Sequence, residues 1–347
     1  MEQFVGPLAR RGIDLEVSSF LSSEQFLSLY QNDKSVLKKV VGMVPPIAAR
    51  FEKLFMIQKY DLIFVQREAM IFGPAIFEWL YQKIGRKPLI LDLDDATYVR
   101  YVSPTYGRTG SLFKFFGKTD NLIKRAEAVI CGNRFIAEHV ESLGTKAIIV
   151  PTIVDTDRFC PVKKNNRVPV LGWIGTHSTF PFLRSLFPVL EKLAERHTFI
   201  LKVVGAGNDD IKIKGVEVTN LEWDLDREAE DFQSLDVGLY PLTTSTSANK
   251  DWLAGKSGFK AIQYMAVGVP FVMSPVGVCS EIGENGKTHF NEDEEEGWYN
   301  SLEKLLINPE LRNEMGREGR QTVMTNYTVA QQADKIASAF RRINLGR

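Results

Sequence analysis

The sequence predicts an α/β protein built from two doubly wound domains that face each other across a cleft. Three observations carry this. Apolar runs of strand length alternate with amphipathic helical runs from end to end, the pattern of parallel sheets covered by helices on both faces. The alternation pauses at a polar segment near 161–168 and then restarts, which marks a hinge. A length of 347 residues suits two cores better than one.

Taken in order, strands are read at 13–17 (IDLEV), 61–65 (DLIFV), 88–93 (PLILDL), 128–132 (AVICG) and 146–151 (KAIIVP). After the hinge they recur at 170–175 (VLGWIG), 199–205 (FILKVVG), 216–220 (VEVTN), 236–242 (DVGLYPL) and 270–274 (PFVMS). Helical spacing fills 74–84, 135–144, 181–196, 226–234, 257–267 and 297–307. The chain opens inside a helix-like run, EQFVGPLARRG, and only then reaches a strand. A doubly wound domain ordinarily starts with a strand and a glycine turn, and losing a central strand would bare apolar edges. The expectation is therefore a true start upstream of Met1. The segment 34–60 is basic and amphipathic. It reads either as a surface helix pair or as a face that lies on an anionic membrane. The acidic run NEDEEEG at 291–297 reads as a solvated turn and helix start.

Composition excludes several classes. The 43 basic and 43 acidic residues cancel, which argues against a nucleic-acid binder. Any anionic ligand must be met by local charge. Three cysteines far apart give no CxxC spacing and point to a reducing cytoplasm. Four histidines form no ligand-spaced cluster, so no metal site is expected. No apolar run approaches the ~20 residues of a spanning helix.

In doubly wound folds, ligands bind beyond the carboxyl ends of the strands. The richest such turn is GKSGFKAIQYMAVGVP at 255–270. Gly255 and Gly258 allow close backbone approach, Lys256 and Lys260 flank Phe259 with charge, and Ser257 is placed to cap the helix. A helix start with these residues suits a phosphate or diphosphate, and Gln263 inside the helix suits sugar hydroxyls. A capped helix with its lysines in water is the other reading. Trp252 is a candidate wall of the same site, whereas Trp223 reads more as core. Gly175, Thr176, His177, Ser178 and Thr179 follow another strand and line a ligand or form a capping turn. Gly205 and Gly207 allow backbone approach, or form a simple turn. Asp92, Asp94 and Asp95 end the strand PLIL, where three carboxylates are costly without a task. Arg67 and Glu68 end DLIFVQ and suit an acceptor-side ion pair. Asn133 is a helix cap and His139 a structural residue.

These segments, in this order, resemble the family 4 (group 1) glycosyltransferases of the GT-B fold. The likeness runs through DLIFVQRE, LILDLDDATY, VPTIVDTDRF, LGWIGTHST, VVGAG, LEWDLDREAEDFQSLDVGLYPL, GKSGFKAIQYMAVGVPFVMSPVG and PELRNEMGREGRQTVMTNYT. It implies two Rossmann-like domains: 1–162 on the acceptor side and 163–327 for the nucleotide-sugar. The helix at about 328–347 would pack back on the first. The implied reaction is retaining transfer from a UDP- or GDP-linked sugar to a glycan or lipid-linked acceptor, as in polysaccharide biosynthesis. Metal and cofactor are absent from that scheme, and the leaving phosphate helps take the acceptor proton. The implied place is the cytoplasm or the inner membrane face. Two departures matter. The family's glutamate pair falls on Gly255 and Gln263, and its Arg and Lys beside the diphosphate fall on Thr176 and about Pro181. The expectation is that Lys256 and Lys260 replace those cations and neutralise the leaving group. Asp94 stands where many relatives carry a catalytic-region histidine, so Asp94, Asp95 and Lys256 are the catalytic candidates. A nucleotide-binding scaffold without turnover and a sugar-nucleotide epimerase of the same fold stay open.

Overall fold

The computed structural model describes residues 1–22, 24–25, 41–99, 115, 117–207, 210–242 and 250–345. The chain divides into two compact units, Met1–Pro151 with Ala333–Arg347, and Thr152–Gln332. In the first, the order is α1 (Val5–Ala9), α2 (Val44–Phe55), β1 (Ile63–Gln66), α3 (Ile76–Gly85), β2 (Leu89–Leu93), α4 (Gly117–Arg125), β3 (Ala128–Cys131), α5 (Arg134–Ser142) and β4 (Ala147–Ile149). The described strands form one parallel sheet, β1-β2-β3-β4, with Ile63 opposite Leu89 and Leu91 opposite Val129. Leu89, Ile90, Leu91 and Leu93 of β2 are fully buried. A strand covered on both faces needs that unbroken apolar run.

The second unit runs β5 (Val170–Ile174), α6 (Phe180–Arg184), α7 (Phe187–Ala194), β6 (Ile200–Val204), β7 (Glu217–Leu221), α8 (Glu228–Gln233), β8 (Val237–Tyr240), α9 (Lys250–Ala254), α10 (Phe259–Ala266), β9 (Phe271–Met273), β10 (Phe290–Asn291), α11 (Glu295–Ile307) and α12 (Pro309–Asn326). Its sheet is ordered β10-β9-β8-β5-β6-β7, with parallel pairings throughout. Strand order reverses between β5 and β8, which opens a crevice at their carboxyl ends. One core layer gathers Phe232, Tyr264, Met265 and Phe271, and the other Trp173, Phe180, Leu190 and Leu302. The buried Tyr264 hydroxyl donates to the Gly172 and Leu239 carbonyls at 3.0 and 3.2 Å, pinning α10 across the reversal. The last helix, α13 (Val329–Leu345), belongs to the first unit from Ala333 onward. There Phe340 meets Phe64 of β1 at 5.4 Å and Asp334 pairs with Arg11 at 2.6 Å.

Differences from the sequence reading have local causes. Residues 13–17 join no ladder among the described residues. Glu16 instead pairs with Lys53 of α2 and accepts from the Tyr60 hydroxyl at 2.5 Å. The helix expected at 181–196 is two helices, because Pro188 stands in the first turn of α7 and cannot continue α6. Strand β10 is two residues long, too short for a period to be read. The two units divide at Pro151 rather than at 162, because 152–160 are folded onto the second. Val154 and Phe159 are core residues there, and Arg320 donates to the Thr156 and Phe159 carbonyls. Of the segment 34–60, residues 34–40 lie outside the described residues. Its Arg50 and Lys53 are occupied by protein groups, Arg50 with the Ala69 carbonyl and Ser18, and Lys53 with Glu16.

Candidate functional site

Each unit gathers polar residues at the carboxyl ends of its strands. In the second unit the turns after β5 and β6 lie together. Gly205 has φ +81°, and a Cβ there would collide with the Gly175 carbonyl oxygen, so glycine is required for both reasons. A Cβ on Gly207 would lie 3.8 Å from His177 Cβ. Thr176, His177 and Ser178 are exposed at this point. Thr179 Oγ1 accepts from the Thr176 amide at 3.0 Å, and Thr176 Oγ1 lies 2.9 Å from Ser178 Oγ. The hydroxyls thus order their own turn and present its tip to solvent. Trp223 follows β7 and is 48% exposed, a surface residue rather than the core one expected.

Across the strand-order reversal stands the turn 255–258. Lys256 Nζ sits 3.8 Å from the centre of the Trp252 ring, so the two form one cation–π unit. Gly258 is the N-cap of α10 at φ +66°, and no side chain caps that helix, so Ser257 does not do so. A Cβ on Gly258 would collide with Ile282 and lie 3.0 Å from Val278. This glycine therefore makes room for protein rather than for a ligand. Phe259 is half-buried and packs on the core.

Lys260 and Gln263 turn away from the role expected of them. Lys260 Nζ lies 3.3 Å from Glu228 Oε1 and 3.1 Å from Gln263 Oε1. Gln263 donates Nε2 to the same Glu228 oxygen at 3.1 Å and is 0% exposed. Burial pushes the Lys260 ammonium below its ordinary pKa, and Glu228 opposes that shift. A lysine already neutralised by a carboxylate is a poor phosphate partner. Glu228 was not singled out in the sequence. It is one of several acids in a short helix, and nothing linear ties it to a glutamine on another helix. Helix α8 is itself anchored by Asp231, 1% exposed, which pairs with Lys202 of β6 at 2.8 Å and Arg227 at 3.1 Å.

In the first unit the charges close on one another. Arg67 takes a left-handed backbone at φ 60°, which is strained for a side chain of this size. Its Nε and Nη2 donate to the two oxygens of Asp94 at 2.5 and 2.7 Å, and Nη2 also donates to Asp95 at 2.8 Å. Burial works against the Arg67 charge, but the bonds to Asp94 and the charges of Asp94, Asp95 and Asp92 more than offset it and raise the pKa. Asp92 is pushed up to about 7 by burial and by the neighbouring Asp94 charge. Glu68 pairs not with Arg67, as expected, but with Lys118 at 2.6 Å. Lys118 also donates to the Met70 and Gly73 carbonyls at 2.9 and 3.1 Å, and its side chain is 5% exposed. A buried lysine in a polar helix was invisible in the sequence. Asn133 caps α5 through the Ile136 amide at 2.9 Å. His139 is held by Asp120 at 2.8 Å and stacks on Tyr98. Among the described residues, no group of His, Cys, Asp and Glu is placed to hold a metal ion.

Residues 168–308 match the family model Glycosyl transferases group 1. No curated protein matches the chain by sequence. Among solved structures, HepE of Anabaena in complex with UDP-glucose is 16% identical, with a TM-score of 0.63 over 97% of this chain and 88% of that one. Sucrose-phosphate synthase of Thermosynechococcus elongatus is 14% identical, with a TM-score of 0.62 over 92% of this chain and 82% of that one. A glycosyltransferase of Rickettsia africae is 15% identical, with a TM-score of 0.62 over 98% and 87%. Residues 168–308, from β5 to α11, are thus similar to the group 1 glycosyltransferases, and the chain has the fold of the GT-B glycosyltransferase structures.

Proposed function

We propose that the chain is a retaining glycosyltransferase that moves a sugar from a UDP-linked donor to a glycan or lipid-linked acceptor without a metal. The observation that carries this reading is the crevice of the second unit. There a group 1 domain places Lys256 on Trp252 at one side of the strand-order reversal and the exposed 176–178 turn at the other. Lys256 is the cation for the leaving diphosphate, a charge that develops as the sugar bond breaks. The turn at 176–178 and Gly205–Gly207 offer hydroxyls and backbone to the donor. UDP is favoured over GDP because HepE was solved with UDP-glucose. In the first unit, Arg67 and Glu68 shape the acceptor side. A proton moved to Asp94 or Asp95 has to displace Arg67, which favours the leaving phosphate as the proton's destination.

Titration calorimetry with UDP and GDP in excess EDTA tests the donor site. UDP is expected to bind, with Lys256→Ala weakening it at least about tenfold. UDP binding that needs a divalent ion would overturn the metal-free reading. Transfer or slow hydrolysis of UDP-sugar separates an enzyme from a scaffold, and release of UDP without epimerised donor separates it from an epimerase.

The same reading places the protein at the inner membrane face as a peripheral enzyme. Val44, Ala48, Phe51 and Phe55 form an exposed stripe at helical spacing on α2, with Val44 62% and Phe55 87% exposed. No helix among the described residues is long and apolar enough to cross a membrane. Co-sedimentation with anionic vesicles at low salt, lost in Phe55→Ser, is the expected result, and no sedimentation of the parent protein refutes the idea.

A further inference from the structure

We infer that Glu228 and Lys260 together read the vicinal hydroxyls of the donor's ribose, with Gln263 as a positioning residue behind them. The inference rests on the nucleotide-sugar reading above and adds the residues that discriminate ribose.

The amide expected to meet those hydroxyls is closed to them. Gln263 is 0% exposed, its Nε2 donates to Glu228, and its Oε1 accepts from Lys260. A solute reaches it only by breaking both bonds in a buried setting, where an unmet polar group is costly. The pair in front of it is different. Glu228 receives both of its bonds on Oε1, and among the described residues Oε2 accepts none. Lys260 gives two hydrogens to the cluster, lies 5.1 Å from the centre of the Phe232 ring, and has a third hydrogen without a hydrogen-bond acceptor among the described residues. Their side chains are 12% and 24% exposed, so the pair reaches solvent where the amide does not.

Charge decides the ligand. A carboxylate 3.3 Å from an ammonium is close to neutral as a unit and repels a second anion at its own oxygen. Such a unit presents an acceptor beside a donor. It matches two adjacent hydroxyls, one donating to Glu228 Oε2 and one accepting from Lys260, better than a phosphate. Its place agrees. Glu228 lies in the segment after β7, where Trp223 approaches Gly205, and Lys260 stands in the first turn of α10, the helix that follows β8 and α9. Helix α8 is tied to β6 by the pair of Asp231 with Lys202. Gln263 and Lys260 hold the carboxylate by Oε1 and leave Oε2 without a bond among the described residues. Thus the carboxylate missing from position 263 is supplied by the neighbouring helix.

The test compares UDP with 2′-deoxy-UDP by calorimetry, on the parent protein and on Glu228→Gln. The parent is expected to prefer the ribonucleotide by at least about tenfold. Glu228→Gln should bring the two within about twofold while binding of 2′-deoxy-UDP stays nearly unchanged. A purely structural role for Glu228 would weaken both ligands equally and overturns the inference, as does a preference left intact in the variant. Should the variant not fold, the parent alone still decides against the inference if it binds both nucleotides equally. Absence of any UDP or GDP binding to the parent is a different failure: it removes the nucleotide reading itself, and this inference with it.

Discussion

The two units solve the same problem in opposite ways. Each is a parallel sheet whose strands end in a cluster of polar residues. In the first unit the cluster is charged and closed: Arg67 holds Asp94 and Asp95, and Lys118 holds Glu68. In the second the cluster carries glycine, hydroxyls and a lysine on a tryptophan, the Lys260–Glu228 pair keeps some exposure, and Asp231 with Lys202 is buried. The difference teaches where charge is available to a ligand. A carboxylate bridged twice by arginine is a fixed part of the wall, whereas the hydroxyls of the 176–178 turn stand exposed. Strain follows the same division. The first unit keeps a non-glycine residue, Arg67, in a left-handed conformation to build its cluster, and the second uses glycine at 205, 207 and 258.

The largest effect expected is from removing the buried anchor of the second unit. Asp231→Ala leaves Lys202 and Arg227 facing each other without their shared carboxylate. Breaking such a buried group costs about 3–5 kcal/mol. Hydrogen exchange should show α8 and β6 losing protection while β2 and β3 of the first unit keep theirs. Equal loss in both units would mean that they do not unfold separately and would dissolve the comparison.

Much of this contrast was legible in the sequence, and the illegible part has one cause. Strands such as 88–93 and 170–175 were readable because an unbroken apolar run over five or six residues admits few other structures. The turn at 255–258 was readable because glycines and cations cluster locally. Partnerships were not readable. Glu228 meets Gln263 and Lys118 meets Glu68 only through the fold, across 35 and 50 positions of sequence. The same gap misled the reading of Lys260, whose charge looks unopposed along the chain. Residues 13–17 failed for a related reason: an alternating apolar pattern specifies a strand only when a neighbour takes its hydrogen bonds.

A second prediction sharpens the comparison through pH. Asp92 in the first unit titrates at about 7, well above the ordinary 3.8, because burial and Asp94 disfavour its charge. Its folded form therefore holds a proton that the unfolded chain has lost. The stability it contributes is complete below pH 3.8 and declines as pH rises to about 7. Asp92→Asn mimics the protonated acid. It should stabilise the first unit at pH 8 by on the order of 2 kcal/mol and leave it unchanged at pH 4. Thermal melting at the two pH values is the check, and a gain of equal size at both would remove Asp92 as the cause.

His289 gives the second unit the opposite slope, and a smaller one. Its ring is 1% exposed, stacks on Phe271, and accepts at Nδ1 from the Thr288 hydroxyl at 2.8 Å while Nε2 donates to Asn291 Oδ1 at 3.1 Å. Those bonds suit the neutral ring, and a second proton would turn the Nδ1 acceptor into a donor. Burial lowers the pKa from 6.5 to about 4, with Asn291 opposing. The unfolded histidine thus gains its proton first as the solution is acidified. The stabilising contribution is complete above pH 6.5 and is lost as pH falls toward 4. Between pH 7 and pH 5 the protection factors of β9 and β10, taken relative to the slower intrinsic exchange at the lower pH, should fall by an amount corresponding to on the order of 1–2 kcal/mol. His289→Gln keeps a donor and an acceptor but cannot titrate, so its protection should be flat over that range. If the variant and the parent lose protection in parallel, another group sets the acid sensitivity. The pH asymmetry between the units would then rest on Asp92 alone.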